Sequence, residues 1–188
     1  MRSCMLIVLI ALASVHAIAQ NTEVRRIRSY RMELEETLGG GEEGGNAGAG
    51  TVRLTHVLPG SGPQETAIVF RSVDREGEEK PWERRTVLLT AMISSNVGAR
   101  ASRREYCFRA GALVLCTVHE DTASADREEH YFSGTKTIGS FFVRGNEARA
   151  LPAGASLKRS SQLREAGERL VTAFRALVRA REDMDGNP

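Results

Sequence analysis

No charge-free apolar run in this chain is long enough to cross a bilayer. The stretch Met5 to Ala13 falls well short of the roughly 20 residues a spanning helix requires. Its flanks give it another meaning: Arg2 precedes it and Ala17-Ile18-Ala19 follows as a small-x-small site, the layout of a secretory signal peptide. The expected mature protein begins at Gln20, is secreted or periplasmic, and keeps no transmembrane anchor. Cysteine is scarce too. Cys4 sits inside the leader and away from its cleavage point, which excludes a lipoprotein anchor, so the mature chain keeps only Cys107 and Cys116.

A charge excess is also missing. The formal net charge is +2 over 188 residues, and Arg2 leaves with the leader, which argues against nucleic acid as the main partner. Lysine is nearly absent, with 3 against 23 arginines. The arginines are interspersed with glutamates and form no block, as a GC-rich genome would produce, so they do not by themselves mark an anion site. Residues 20–188 are close to the usual size of one domain and suffice for a continuous apolar core without metals or many disulfides.

What is present is periodicity. From Thr22 to Leu38, Val24, Ile27, Tyr30, Leu34 and Leu38 recur on one helical face, with Thr22 as N-cap and Gly39 as stop. Residues 39–50 are glycine-rich without a large apolar side chain and are expected to be a disordered loop, since nothing there offsets the ordering entropy. No Lys-Ser/Thr follows to make it a nucleotide cradle. Beyond it, apolar and polar residues alternate with period two over Thr51–Leu58, Thr66–Val73, Thr86–Ile93, Arg103–Phe108, Ala112–His119, Glu128–Phe132 and Thr137–Val143. Short spacings without intervening helices predict an antiparallel meander. A helix over about Ser156–Arg181 follows, with Leu163, Ala166, Leu170, Phe174, Leu177 and Val178 as its apolar stripe. The expected fold is α+β: an antiparallel meander of about six or seven strands against an N-terminal and a long C-terminal helix, lying together on one face of the sheet.

The strands carrying Cys107 and Cys116 flank a tight turn at Arg109-Ala110-Gly111 and predict a cross-strand disulfide, contributing about 2 to 3 kcal/mol through the unfolded state. A register one residue off would place the two thiols on opposite faces. Signatures of catalysis fail one after another. Ser133-Gly134-Thr135-Lys136 and Ser94-Ser95-Asn96 match fragments of the motif set of serine enzymes acting on penicillin or peptidoglycan. In those enzymes the serine opens a helix, whereas Ser133 falls in a hairpin turn and the Lys-Thr-Gly element is missing. No Gly-x-Ser-x-Gly elbow occurs. Three histidines remain. His56 reads as a packing residue in its strand. His119 and His130, with Asp121 and neighbouring glutamates at the two ends of one connection, are the candidate ligands for a divalent metal, although their spacing matches no known motif. Trp82, the single tryptophan, lies in a charged segment outside any strand's alternation and is the candidate interface anchor.

These readings predict an exported, non-enzymatic binding or interaction module. Its expected partner is a protein or peptide of the cell envelope, engaged through a sheet face or edge, with no cofactor. The alternatives are an envelope hydrolase or metal-dependent enzyme using His119, His130 and nearby carboxylates, and a carrier for a small apolar ligand held among strand residues.

Overall fold

A computed structural model describes residues 21–36, 38, 47–58, 62–76, 84–97, 100–120 and 124–184. The expected leader, Trp82 and Asp121 lie outside the described residues. The fold is α+β, as expected: helix α1 (21–36), a single antiparallel sheet and helix α2 (Ala153–Met184). Among the described residues the sheet has eight strands in strict sequence order, β1 (Ala47–Leu58), β2 (Gly62–Glu76), β3 (Arg84–Val97), β4 (Arg100–Arg109), β5 (Ala112–His119), β6 (Arg127–Ser133), β7 (Lys136–Arg144) and β8 (Glu147–Ala150). Seven of them answer to the alternating segments of the sequence. The eighth is four residues long, too short to show a period. β1 begins at Ala47, inside the stretch expected to be disordered, because Ala47 to Gly50 pair with Val73 to Phe70 of β2 and the ladder supplies what their small side chains do not.

The β4–β5 hairpin sets the geometry of everything else. Arg109 pairs with Ala112 across Ala110 and Gly111, whose φ values of 50° and 76° are both left-handed, as a two-residue type I′ turn requires. Glycine meets that demand without a Cβ penalty at the second position. A bulge then offsets the ladder by one residue, so that Phe108 faces Leu113 but Cys107 faces Leu115 and Tyr106 faces Cys116. Another residue of offset would be needed to set the cysteines opposite each other. They stay free, and the pleat sends them to opposite faces: the expected disulfide does not form.

Both faces of the sheet are covered, one by each helix. α2 lays Leu163, Leu170 and Phe174 on Phe70, Leu88, Ala91, Tyr106, Phe108, Leu113, Cys116, Val118 and Phe132. Gly167 allows the close approach, since a Cβ there would lie 2.8 Å from Leu113 Cδ2. Phe174 meets Phe70 with ring centroids 5.7 Å apart. On the other face Val24 and Ile27 of α1 pack on Cys107, Leu115 and Tyr131, with Val114, Ile138 and Phe141 at the margin. The expectation that the two helices share a face is therefore corrected. β4 and β5 carry apolar residues on both sides, Tyr106, Phe108, Leu113, Cys116 and Val118 toward α2 and Cys107 and Leu115 toward α1, and a doubly apolar strand demands two covers. Leu177, assigned to the buried stripe, is 45% exposed near the end of α2.

Candidate functional site

The residues Arg127-Glu128-Glu129-His130-Tyr131 of β6 alternate across the sheet. Arg127, Glu129 and Tyr131 point toward α1, while Glu128 and His130 point toward α2, and each set builds its own polar cluster.

On the α1 side the buried stripe of the helix leaves Arg28, Arg31, Met32 and Glu35 along its flank, one turn apart. Together with Arg127, Glu129, Tyr131 and Val143 of the sheet, and Gly145, Asn146 and Ala148 at the rim, they line a groove of about 460 Å³. At its base lies Glu129, whose side chain is only 5% exposed. Tyr131 Oη donates to Glu129 Oε2 at 2.6 Å, and Arg127 Nε donates to Oε1 at 2.8 Å. Arg28 donates from Nε to Tyr131 Oη at 2.7 Å and brings a terminal nitrogen to 3.6 Å from Glu129. Arg31 lies 3.8 Å from Glu129 but is chiefly paired elsewhere, at 2.7 Å with Glu35 and 3.7 Å with Glu105, and it donates to Thr117 Oγ1 at 3.3 Å. Burial alone would push the Glu129 carboxyl up. The hydrogen bonds from Tyr131 and Arg127 and the charges of Arg127 and Arg28 outweigh it and hold that carboxyl below its ordinary range. Burial and the Glu129 charge instead push the Tyr131 phenol up to about 12, so it stays a donor.

On the α2 side, His130 is wholly buried. Its Nδ1 is 3.0 Å from Ser140 Oγ on β7 and its Nε2 is 3.3 Å from Glu128 Oε2. Glu128 in turn pairs with Arg159 Nε at 2.6 Å, and Arg159 also pairs with Glu120. Burial and the Arg159 charge lower the imidazole's proton affinity against the pull of Glu128, so His130 is held toward its neutral form. A serine, a histidine and a carboxylate in series resemble a hydrolytic relay, but the surroundings are those of a packed interior. Ser140 sits in mid-strand opposite His130, its carbonyl takes the Leu151 N–H at 2.9 Å, and the ring is fully buried beside the Glu128–Arg159 pair. The cluster satisfies buried polar groups and couples α2 to β6 and β7.

The structure thus separates what the metal-site expectation joined. His119, opposite Arg103 in the β4–β5 ladder, falls on the α1 face with Thr117, whereas His130, opposite Cys116, falls on the α2 face. Two imidazoles on opposite faces cannot ligate one ion. Among the described residues no group of three or more His, Cys, Asp or Glu is arranged to hold a metal. His119 is half-buried, and burial with the charges of Arg103 and Arg127 lowers its proton affinity. Ser133 and Lys136 are an exposed pair closing the β6–β7 turn, while Ser94 and Asn96 lie in β3, with β4 and β5 between them and β6. His56 lies on β1 opposite Gln64. Among the described residues no helix is long and apolar enough to cross a membrane.

The groove was missed in the sequence because its two walls are about a hundred residues apart. One local signal did exist. Arg127, Glu129 and Tyr131 put three polar groups on a face of β6 that ordinary alternation would make apolar. No family model, curated protein or solved structure matches the chain.

Proposed function

We propose that the protein is an exported, non-enzymatic interaction module that takes an extended segment of a partner protein beside β8, with side chains entering the groove under α1. The observation that carries this reading is the open edge of the sheet at the groove's rim. Among the described residues β8 pairs only with β7. The Leu151 N–H to Ser140 carbonyl bond fixes which rungs of that ladder are hydrogen-bonded. By the antiparallel alternation, Val143 with Ala148 and Phe141 with Ala150 are then the non-bonded rungs. The N–H and C=O groups of Ala148 and Ala150 accordingly point away from β7, available to an added strand. Ala148 also lines the groove, so backbone pairing and side-chain recognition meet at one residue. The apolar-carrier alternative finds less support, because three arginines and two glutamates stand among the residues lining this groove.

Ala148→Pro tests it. Proline removes one outward donor and leaves the β7–β8 ladder intact, as edge strands tolerate. The mature chain should bind members of an array of short random peptides, and Ala148→Pro should bind them at least tenfold more weakly with unchanged circular dichroism. Equal binding by the two proteins would remove the edge from the interface.

A further inference from the structure

We infer that the segment received by the groove carries an acidic side chain, which enters between Arg28 and Arg127. This rests on the strand-addition reading above and adds the chemistry of the ligand. Three observations support it. First, Arg127, Val143 and Ala148 are aligned in one row across β6, β7 and β8, all on the α1 face. A strand added to β8 continues that row, and the pleat turns its residue opposite Ala148 toward the groove. Val143 and Ala148 are short, so the space above them is left to the incoming side chain.

Second, the charge at this end of the groove is incomplete. Arg28 and Arg127 share the single carboxylate of Glu129, while Glu35 and Glu105 are drawn to Arg31. Among the described residues Arg127 bonds through Nε alone, which leaves its terminal nitrogens for a bidentate contact of the kind guanidinium makes with carboxylate. Third, the same face carries further positive charge: Arg103 has a buried Nε with no hydrogen-bond partner. The depressed proton affinity of His119, caused after burial by Arg103 and Arg127, reports that excess. Arg28 is also held in place, its guanidinium 5.5 Å from the Tyr131 ring centroid and 5.7 Å from that of Phe141, so little side-chain freedom is lost on binding.

The probe is an array of short random peptides, each made with a free and with an amidated C-terminus, read against the mature wild-type chain. The expected result is enrichment of Glu or Asp at one fixed position, unaffected by amidation, with replacement of that residue by Gln or Asn weakening binding about tenfold or more. Arg127→Gln should erase the preference while peptides still bind. Arg127→Lys, which keeps the charge and the fold, should weaken it less. Binding that requires the free C-terminus would move the carboxylate to the chain end and overturn the side-chain assignment. Binding without any acidic preference would overturn the inference and leave strand addition standing. An array on which nothing binds would overturn both.

Discussion

The two faces of the sheet are covered by one helix each and are held by different forces. Among the described residues the cluster under α2 comprises twelve buried residues, most of them large and apolar. Under α1 the buried cluster has five residues among those described, and the rest of the contact is a network of arginines around one glutamate. Apolar burial is non-directional and closes over itself. Charge pairing leaves valences at its margin, which is why the groove lies on the α1 side and the packed relay on the other. The stability of the domain belongs mainly to the first face, and on the function proposed above its recognition chemistry belongs to the second.

The largest effect should come from the α2 side. Phe108→Ala, at a fully buried ring, is expected to cost about 3–5 kcal/mol in chemical denaturation. A loss below about 1 kcal/mol would break the comparison, since the face would then not be the stabilising one. Glu129→Ala comes next. It strands Arg28 and Arg127 over an apolar floor, but both guanidiniums are partly solvated, so the expected loss is about 2–3 kcal/mol, with Arg127 freed to move. Equality with Phe108→Ala would mean that the ionic face is no lesser partner.

Titration draws on both faces. Both His130 and His119 have a lower proton affinity folded than unfolded, so their contribution is complete above the ordinary histidine value near 6.5 and is lost progressively as the pH falls from there toward their lower folded values. Glu129, also depressed, contributes fully above the ordinary carboxylate value near 4.5 and loses that contribution below it. A melting curve against pH should therefore decline in two stages on acidification. His130→Asn should reduce the first stage and leave the second. A single decline confined below pH 5 in the wild type would show that the buried ring carries no such coupling. The smallest effect expected is none: a reductant should leave the melting temperature unchanged, because Cys107 and Cys116 are on opposite faces. Burial pushes the Cys107 thiol up to about 12 and raises Cys116 as well, so a thiol reagent should label both only on unfolding.

Most of the fold was legible in the chain, because periods of 3.6 and 2 persist over α1, α2 and seven strands. β8 was not, since four residues between two turns carry no measurable period. The relative placement of the helices was missed for a different reason. Both helices were expected on one face of the sheet, whereas β4 and β5 turn Phe108 and Cys116 toward α2 and Cys107 and Leu115 toward α1. The cysteine pair failed on a bulge, a one-residue event that propensity does not encode. His130 was singled out for its neighbours in sequence, yet its partner Ser140 is ten residues away on the next strand and bears no mark of it. Arg28 and Arg31 looked like the solvated face of a helix, and only the register of β6 discloses what they face.

The alternation of β6 also acts as a proofreading device for assembly. A slip of one residue during pairing would carry Arg127 and Glu129 under the apolar stripe of α2 and drive His130 and Glu128 against Val24 and Ile27, leaving charges without counterparts on both sides at once. A strand that carries a distinct polar code on each face is checked twice, and an error legible to either helix is rejected. Because β7 and β8 are hung from β6 rung by rung, that double check extends outward to the last strand. The open edge is placed to within a residue of the arginines by a constraint made in the interior.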